Sequence, residues 1–296
     1  MDPSAYLKGI FRAIVPRKTV NPEDQKVQAI KNYLENGRKP WSLGYLEYRA
    51  QSIKELLALH TSTELFQFPE NYGLGLDERL AEYSWIISRI PPTPARILDA
   101  GSTFNFDYIL DQKKFAEKDL SICTFYPEPE CFFSRRISYN YADLRSLPYR
   151  NDWFDMVVCQ STLEHIDMDN SIYGYNNREA KPSDRKSYEF LNAVSELVRV
   201  LKPDGKLLIT VPFGKFENHG FFQQFDIEMK NRMMDSLKPY GKVQDYYFKY
   251  TSGGWVMSNE QETSSCESYN PHTGKGKGTD GAAHCRGILA VEMKKS

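Results

Sequence analysis

The sequence predicts an α/β chain, with a doubly wound parallel sheet preceded by a helical extension over residues 1–92. Three observations carry this reading. Four segments between residues 96 and 165, ARILDAGSTFNFDY, TFYPEPE, NYADLRSLPYRNDWFDMVVCQ and STLEHI, each end an apolar, β-prone run with a carboxylate, a glycine or a small polar residue. Strand-like runs then alternate with helical periodicity as far as KLLITVPF at 206–213, the arrangement of crossover-connected parallel strands. Before them lie about ninety residues of helical pattern, whose apolar faces need the sheet as cover.

The elements follow in order. Residues 22–60 read as two polar helical stretches divided by the GRKPW turn at 37–41. Leu76, Leu80, Tyr83, Ile87 and Ile90 recur at helical spacing and define a third helix, which stops at PPTP. Strand 96–98 leads through a turn into a short helix near 105–117. Strand 121–125 precedes the PEPE turn, a brief strand at 137–141 ends at Asp143, and strand 154–159 follows NDW. The loop over 167–187 is long enough to suggest a functional role. Leu191, Val194, Leu197, Val198 and Leu201 make one apolar helical stripe, and KPDG turns the chain into strand 206–211. A helix near 226–238 and strands 243–249 and 288–293 complete the domain, read as 93–296. The polar stretch 251–286 reads as a long, partly disordered excursion.

Composition narrows the function. With 38 Lys and Arg against 39 Asp and Glu, and no basic block, a nucleic-acid partner is not expected. No apolar run is long enough for stable membrane insertion, and YLKGIFRAIV near the N-terminus, interrupted by Lys8 and Arg12, does not read as a signal peptide. Five cysteines, two of them within expected strands, read as reduced thiols of a cytoplasmic protein. Cys266, His272, His284 and Cys285 share one polar stretch but lack C-x-x-C or H-x-x-x-H spacing, so no metal site is expected. The tyrosine-rich segments at 171–177 and 244–250 suit either a flat or sugar ligand or core packing.

Ligand chemistry enters at the strand ends. In an open α/β sheet an adenosyl cofactor lies across the carboxyl ends of the strands. Asp99, Ala100 and Gly101 fit the turn after the first strand, where the backbone must approach a ligand without a Cβ in the way. Glu128, with Glu130 as its rival, is placed to accept both ribose hydroxyls. Asp143 could accept from an adenine amino group while Leu144 covers the ring. Glu164 and His165 emerge at the sheet edge, where His165 is a candidate base, a substrate donor or a helix cap.

The ILDAG, PE, DLRSLPY, FDMVVCQSTLEH and LKPDGKLLITVPFG blocks, over about residues 95–215, resemble class I S-adenosylmethionine-dependent methyltransferases, particularly those acting on small molecules and sugars. The resemblance implies a Rossmann-like, seven-stranded sheet with the last strand inserted antiparallel. It implies S-adenosyl-L-methionine on Asp99 through Ser102, Glu128, Asp143 with Leu144, and Gln160 with Ser161. It also implies methyl transfer to a small-molecule or saccharide acceptor, favouring oxygen, with His165, His219 and Glu164 as catalytic candidates. One departure stands out: Thr103 and Asn105 occupy positions where the family usually has further glycines. A nicotinamide enzyme would want G-x-G-x-x-G where this chain has GSTFN. The alternative from another class is a catalytically inactive, methyltransferase-like binding or scaffold protein.

Overall fold

The computed structural model describes residues 21–59, 68–171 and 185–296. The N-terminal YLKGIFRAIV, most of the 167–187 loop and all but the first residue of the 171–177 tyrosine segment lie outside them. Among the described residues no helix is long and apolar enough to cross a membrane.

Helix α1 (Pro22–Glu35) begins with proline in its first turn, and the Asn21 side chain caps it by accepting from the Glu23 amide. The turn to α2 (Tyr45–Leu59) holds Gly37, Arg38, Trp41 and Gly44 at positive φ. A Cβ on Gly44 would lie 2.0 Å from the Ala29 carbonyl oxygen, so only glycine lets the two helices approach this closely. Helix α3 (Arg79–Ser88) departs from the one-sided pattern, because Leu80 through Ser88 are all buried, Glu82 included. The helical extension thus shares its core with one sheet face. Ile53, Leu56, Leu80, Trp85 and Ile86 pack with Ile97, Ile122, Met156, Val158 and Leu208.

The α/β part runs β1 (Ala95–Ala100), α4 (Asp107–Leu110), β2 (Lys118–Thr124), β3 (Ser138–Tyr141), β4 (Phe154–Gln160), α5 (Phe190–Val200) and β5 (Leu201–Pro212). A two-residue pair, β6 (Glu217–Asn218) and β7 (Gln223–Gln224), precedes α6 (Ile227–Leu237). Then come β8 (Gly241–Thr251), β9 (Gly254–Ser258), α7 (Glu260–Thr263) and β10 (Gly287–Lys295). Within β1, β4 and β5 the side chains alternate between faces. Leu98, Val157, Cys159, Leu207 and Ile209 turn to the second core, with Val194, Leu197 and Val198 of α5 and Met229 and Met233 of α6.

The large sheet has the order β3-β2-β1-β4-β5-β10-β8-β9. β10 enters antiparallel between β5 and β8, and the first five strands are parallel. The sheet therefore has eight strands, not seven. The eighth, β9, forms a hairpin with β8 inside the stretch read as a disordered excursion. Thr251 Oγ1 accepts from the Gly253 amide and donates to the Gly254 carbonyl, and Gly254 has φ +94°. The Trp255 amide and indole N–H then donate to the carbonyls of Tyr72 and Leu76, 2.8 and 3.1 Å away. Beyond α7 the chain stays folded, burying Cys266, Tyr269, Ala282, Ala283 and Cys285. Asn270 organises this part, its Oδ1 accepting from the amides of His272 and Thr273. Side-chain turn chemistry of this kind is why a polar segment holds a defined path here.

Candidate functional site

A cleft of about 420 Å³ opens at the carboxyl ends of β1, β2, β3 and β4. Its floor is the turn after β1. Asp99 is fully buried and does not face the cleft. Its Oδ1 accepts from the Thr103 amide (3.1 Å) and hydroxyl (3.0 Å), and its Oδ2 from the Phe104 amide (2.7 Å). Burial outweighs these hydrogen bonds and pushes its carboxyl up to about 6. Asp99 thus folds the turn, and Ala100 is buried beside it.

Gly101 lines the cleft with φ +132°, where a Cβ would lie 2.0 Å from Thr162 Oγ1. Ser102 follows at φ +61°, and its buried hydroxyl has no hydrogen-bond partner. The backbone therefore turns at Gly101 and Ser102. Thr103 and Asn105 are not asked to replace glycines; Thr103 anchors to Asp99, while Asn105 donates to the Glu130 carbonyl and accepts from the Tyr139 hydroxyl at 2.7 Å. We expect Gly101→Ala to cost about 2 kcal/mol or more and to abolish cofactor binding, since both φ and the Thr162 side chain oppose a Cβ. Chemical denaturation beside ligand titration checks this.

Glu128 lines the next wall, half-buried, whereas Glu130 is exposed and lies outside the lining. Asp143 and Leu144 line the wall after β3. Asp143 is held by Arg145, whose Nε lies 3.1 Å from each carboxylate oxygen and whose Nη2 lies 2.7 Å from Oδ2. Partial burial pushes this carboxyl up, but the Arg145 hydrogen bonds and charge prevail and leave it below the usual range.

At the end of β4, Ser161 (φ +40°) and Thr162 face the cleft, while Gln160 is buried behind them. Gln160 Nε2 and the Ser161 hydroxyl both donate to Glu82 of α3, as do Thr210 Oγ1 of β5 (2.7 Å) and Arg79 Nη1 (2.7 Å). Glu82 is fully buried and ties the helical extension to the ends of β4 and β5. The sequence reading did not single it out; its local signal is one carboxylate inside the otherwise mostly apolar run LAEYSWII.

Glu164 is buried off the cleft lining, and burial raises its carboxyl well above the usual range. His165 does line the cleft. Its Nδ1 lies 2.7 Å from the Phe221 carbonyl, which can only accept, so Nδ1 carries the proton and Nε2 the lone pair. Nε2 is 4.0 Å from Glu164 Oε1. Burial lowers the imidazole to about 4, against the opposing Phe221 hydrogen bond. His219 is elsewhere: its ring stacks on Phe222 at 4.5 Å, its Nε2 meets Ser268 Oγ at 2.9 Å, and it does not line the cleft.

The five parallel strands, the antiparallel β10 between β5 and β8, and the cleft at the strand ends decide the architecture. The chain has the class I S-adenosylmethionine-dependent methyltransferase fold. The family described as a methyltransferase domain matches residues 113–209. No curated protein matches the chain. Among solved structures it is similar to the 1,6-didemethyltoxoflavin-N1-methyltransferase of Burkholderia thailandensis, with 12% identity and a TM-score of 0.43, covering 94% of this chain and 92% of that one. It is also similar to a possible histamine N-methyltransferase of Thermotoga maritima, with 10% identity and a TM-score of 0.45, covering 91% and 99%. A third similar structure is the [4+2]-cyclase SpnF, with 15% identity and a TM-score of 0.42, covering 93% and 94%.

Proposed function

We propose that this methyltransferase-fold protein moves the methyl group of S-adenosylmethionine to an oxygen of a small-molecule or saccharide acceptor. The observation that carries the reading is convergence: Gly101, Glu128, Asp143, Leu144, Ser161 and His165 come from successive strand ends onto one cleft. Gly101 lines the cleft with no side chain, its Cβ position being taken up by Thr162, which suits a ligand approached by bare backbone. When bound, the cofactor supplies a methyl already activated on its sulfonium, and alignment can provide much of the rate. Glu128 would accept the ribose hydroxyls, Asp143 the adenine amino group, and Leu144 would cover the ring. His165 Nε2 would take the proton of the acceptor hydroxyl as its oxygen gains the methyl. The reading sets the protein in the cytoplasm, consistent with five free cysteines.

Calorimetric titration with S-adenosylmethionine and S-adenosylhomocysteine, beside Asp143→Ala and an NAD control, tests the cofactor. Saturable adenosyl binding, weakened in the variant and absent for NAD, supports the reading; no adenosyl binding by folded protein overturns it. Binding without transfer to any member of an acceptor panel would favour the inactive binding protein.

The protonation of His165 gives a further expectation. With its folded value near 4 and an ordinary value of 6.5, the imidazole stays in its basic form through mildly acidic solution. Activity should hold from pH 8 to 6, and His165→Gln should lower kcat about 100-fold. The same shift means that the stability His165 contributes is complete above pH 6.5 and is lost as pH falls towards 4. Its ring signals in an NMR titration should show a midpoint well below 6.5.

A further inference from the structure

Behind the Arg79 wall of the cleft, three groups of different chemistry meet out of solvent. Glu78 Oε1 lies 3.2 Å from His284 Nδ1, and Glu78 Oε2 lies 3.5 Å from Cys285 Sγ. All three ligand atoms fall within 4.8 Å of one another. The residues reach this point from opposite ends of the chain. Glu78 sits at the start of α3 with helical backbone, yet it makes no capping hydrogen bond; the Arg79 amide goes to Asp77 instead. Arg79 itself pairs with Glu82, so the Glu78 carboxylate turns to the imidazole and the thiol. His284 and Cys285 are delivered just ahead of β10, where Cys285 bridges to Ser268.

We propose that Glu78, His284 and Cys285 form a binding site for a zinc-class divalent cation, with water completing the coordination. Carboxylate, imidazole and thiolate are the donor types of zinc, and tetrahedral bonds of about 2.0–2.3 Å set ligand-to-ligand edges of roughly 3.3–3.6 Å. The 3.2 and 3.5 Å separations lie close to those edges. On binding, the thiol releases its proton to solvent and the sulfur donates its pair to the metal. Cys266 and His272, weighed with these residues on sequence alone, take no part. The absence of paired spacing concealed the site because its third ligand lies 206 positions away.

The test is elemental analysis of full-length protein purified without a metal-affinity tag, followed by cobalt(II) titration of chelator-treated protein. About one zinc per chain is expected as isolated, together with one equivalent of cobalt(II) giving a thiolate-to-cobalt charge-transfer band. That band should vanish in Cys285→Ser and persist in Cys266→Ser, and Glu78→Gln should weaken cobalt binding at least tenfold. Folded wild-type protein that neither carries zinc nor binds cobalt overturns the proposal, whatever the variants do. So does a band that survives Cys285→Ser.

Discussion

Glu82→Ala should destabilise the protein by about 3–5 kcal/mol, the range for breaking a buried charge pair by removing one partner. The carboxylate accepts from Arg79, Gln160, Ser161 and Thr210 at once, so alanine leaves a guanidinium, an amide and two hydroxyls without their acceptor. Water can serve them only if the core opens. Urea unfolding measures the loss. Cofactor affinity should fall in parallel, because Ser161 at φ +40° is held on the cleft wall by its bond to Glu82. Glu82→Gln separates the effects: it keeps an acceptor for the hydroxyls but loses the ion pair, so a smaller loss is expected. A variant as stable as wild type would mean that Glu82 is not the link between α3 and the strand ends.

Glu128→Ala should raise the dissociation constant for S-adenosylmethionine about 100-fold or more. The proposed role is a carboxylate accepting two hydroxyls, and hydrogen bonds to a charged group are worth about 1.5–3 kcal/mol each. Stability should hardly change, because the side chain is half-buried on a cleft wall. Glu130→Ala is the control, since Glu130 is exposed and outside the lining. Calorimetry decides, and equal losses in both variants would remove the ribose role from Glu128.

Much of the fold was legible because its signals are local. The strand expected at 154–159 is observed as Phe154–Gln160, and the Leu191–Leu201 stripe is helix α5 running into β5. Runs of apolar residues closed by turn chemistry need no distant partner to be recognised. β9 escaped notice because five residues of GWVMS sit in a polar stretch, and their strand character comes from Tyr72 and β8. The helix expected over 105–117 is shorter, with α4 ending at Leu110 and a 3₁₀ turn at Lys113–Phe115.

The site was legible in outline and not in its roles. The motif order put Gly101, Glu128, Asp143, Leu144, Ser161 and His165 on one list, and one cleft holds them. It could not separate residues that face the cleft from Asp99 and Gln160, which brace it from behind, because that division depends on depth rather than spacing. His219 looked eligible by its distance from β5, yet the β6–β7 turn carries it into an aromatic stack. Apart from Arg79, the partners of Glu82 and Glu78 lie between 78 and 207 positions away, a range at which no local pattern survives.

The position of β10 bears on how the chain is made. A ribosome releases the strands in order, so β5 and β8 emerge well before the strand that must pair with both. Until residues 287–295 have been synthesised, β5 and β8 each keep an unpaired edge, and the buried Leu207–Val211 run of β5 lacks its neighbour. The nascent protein therefore cannot finish its sheet as it elongates, and that interval is where chaperone protection would matter most.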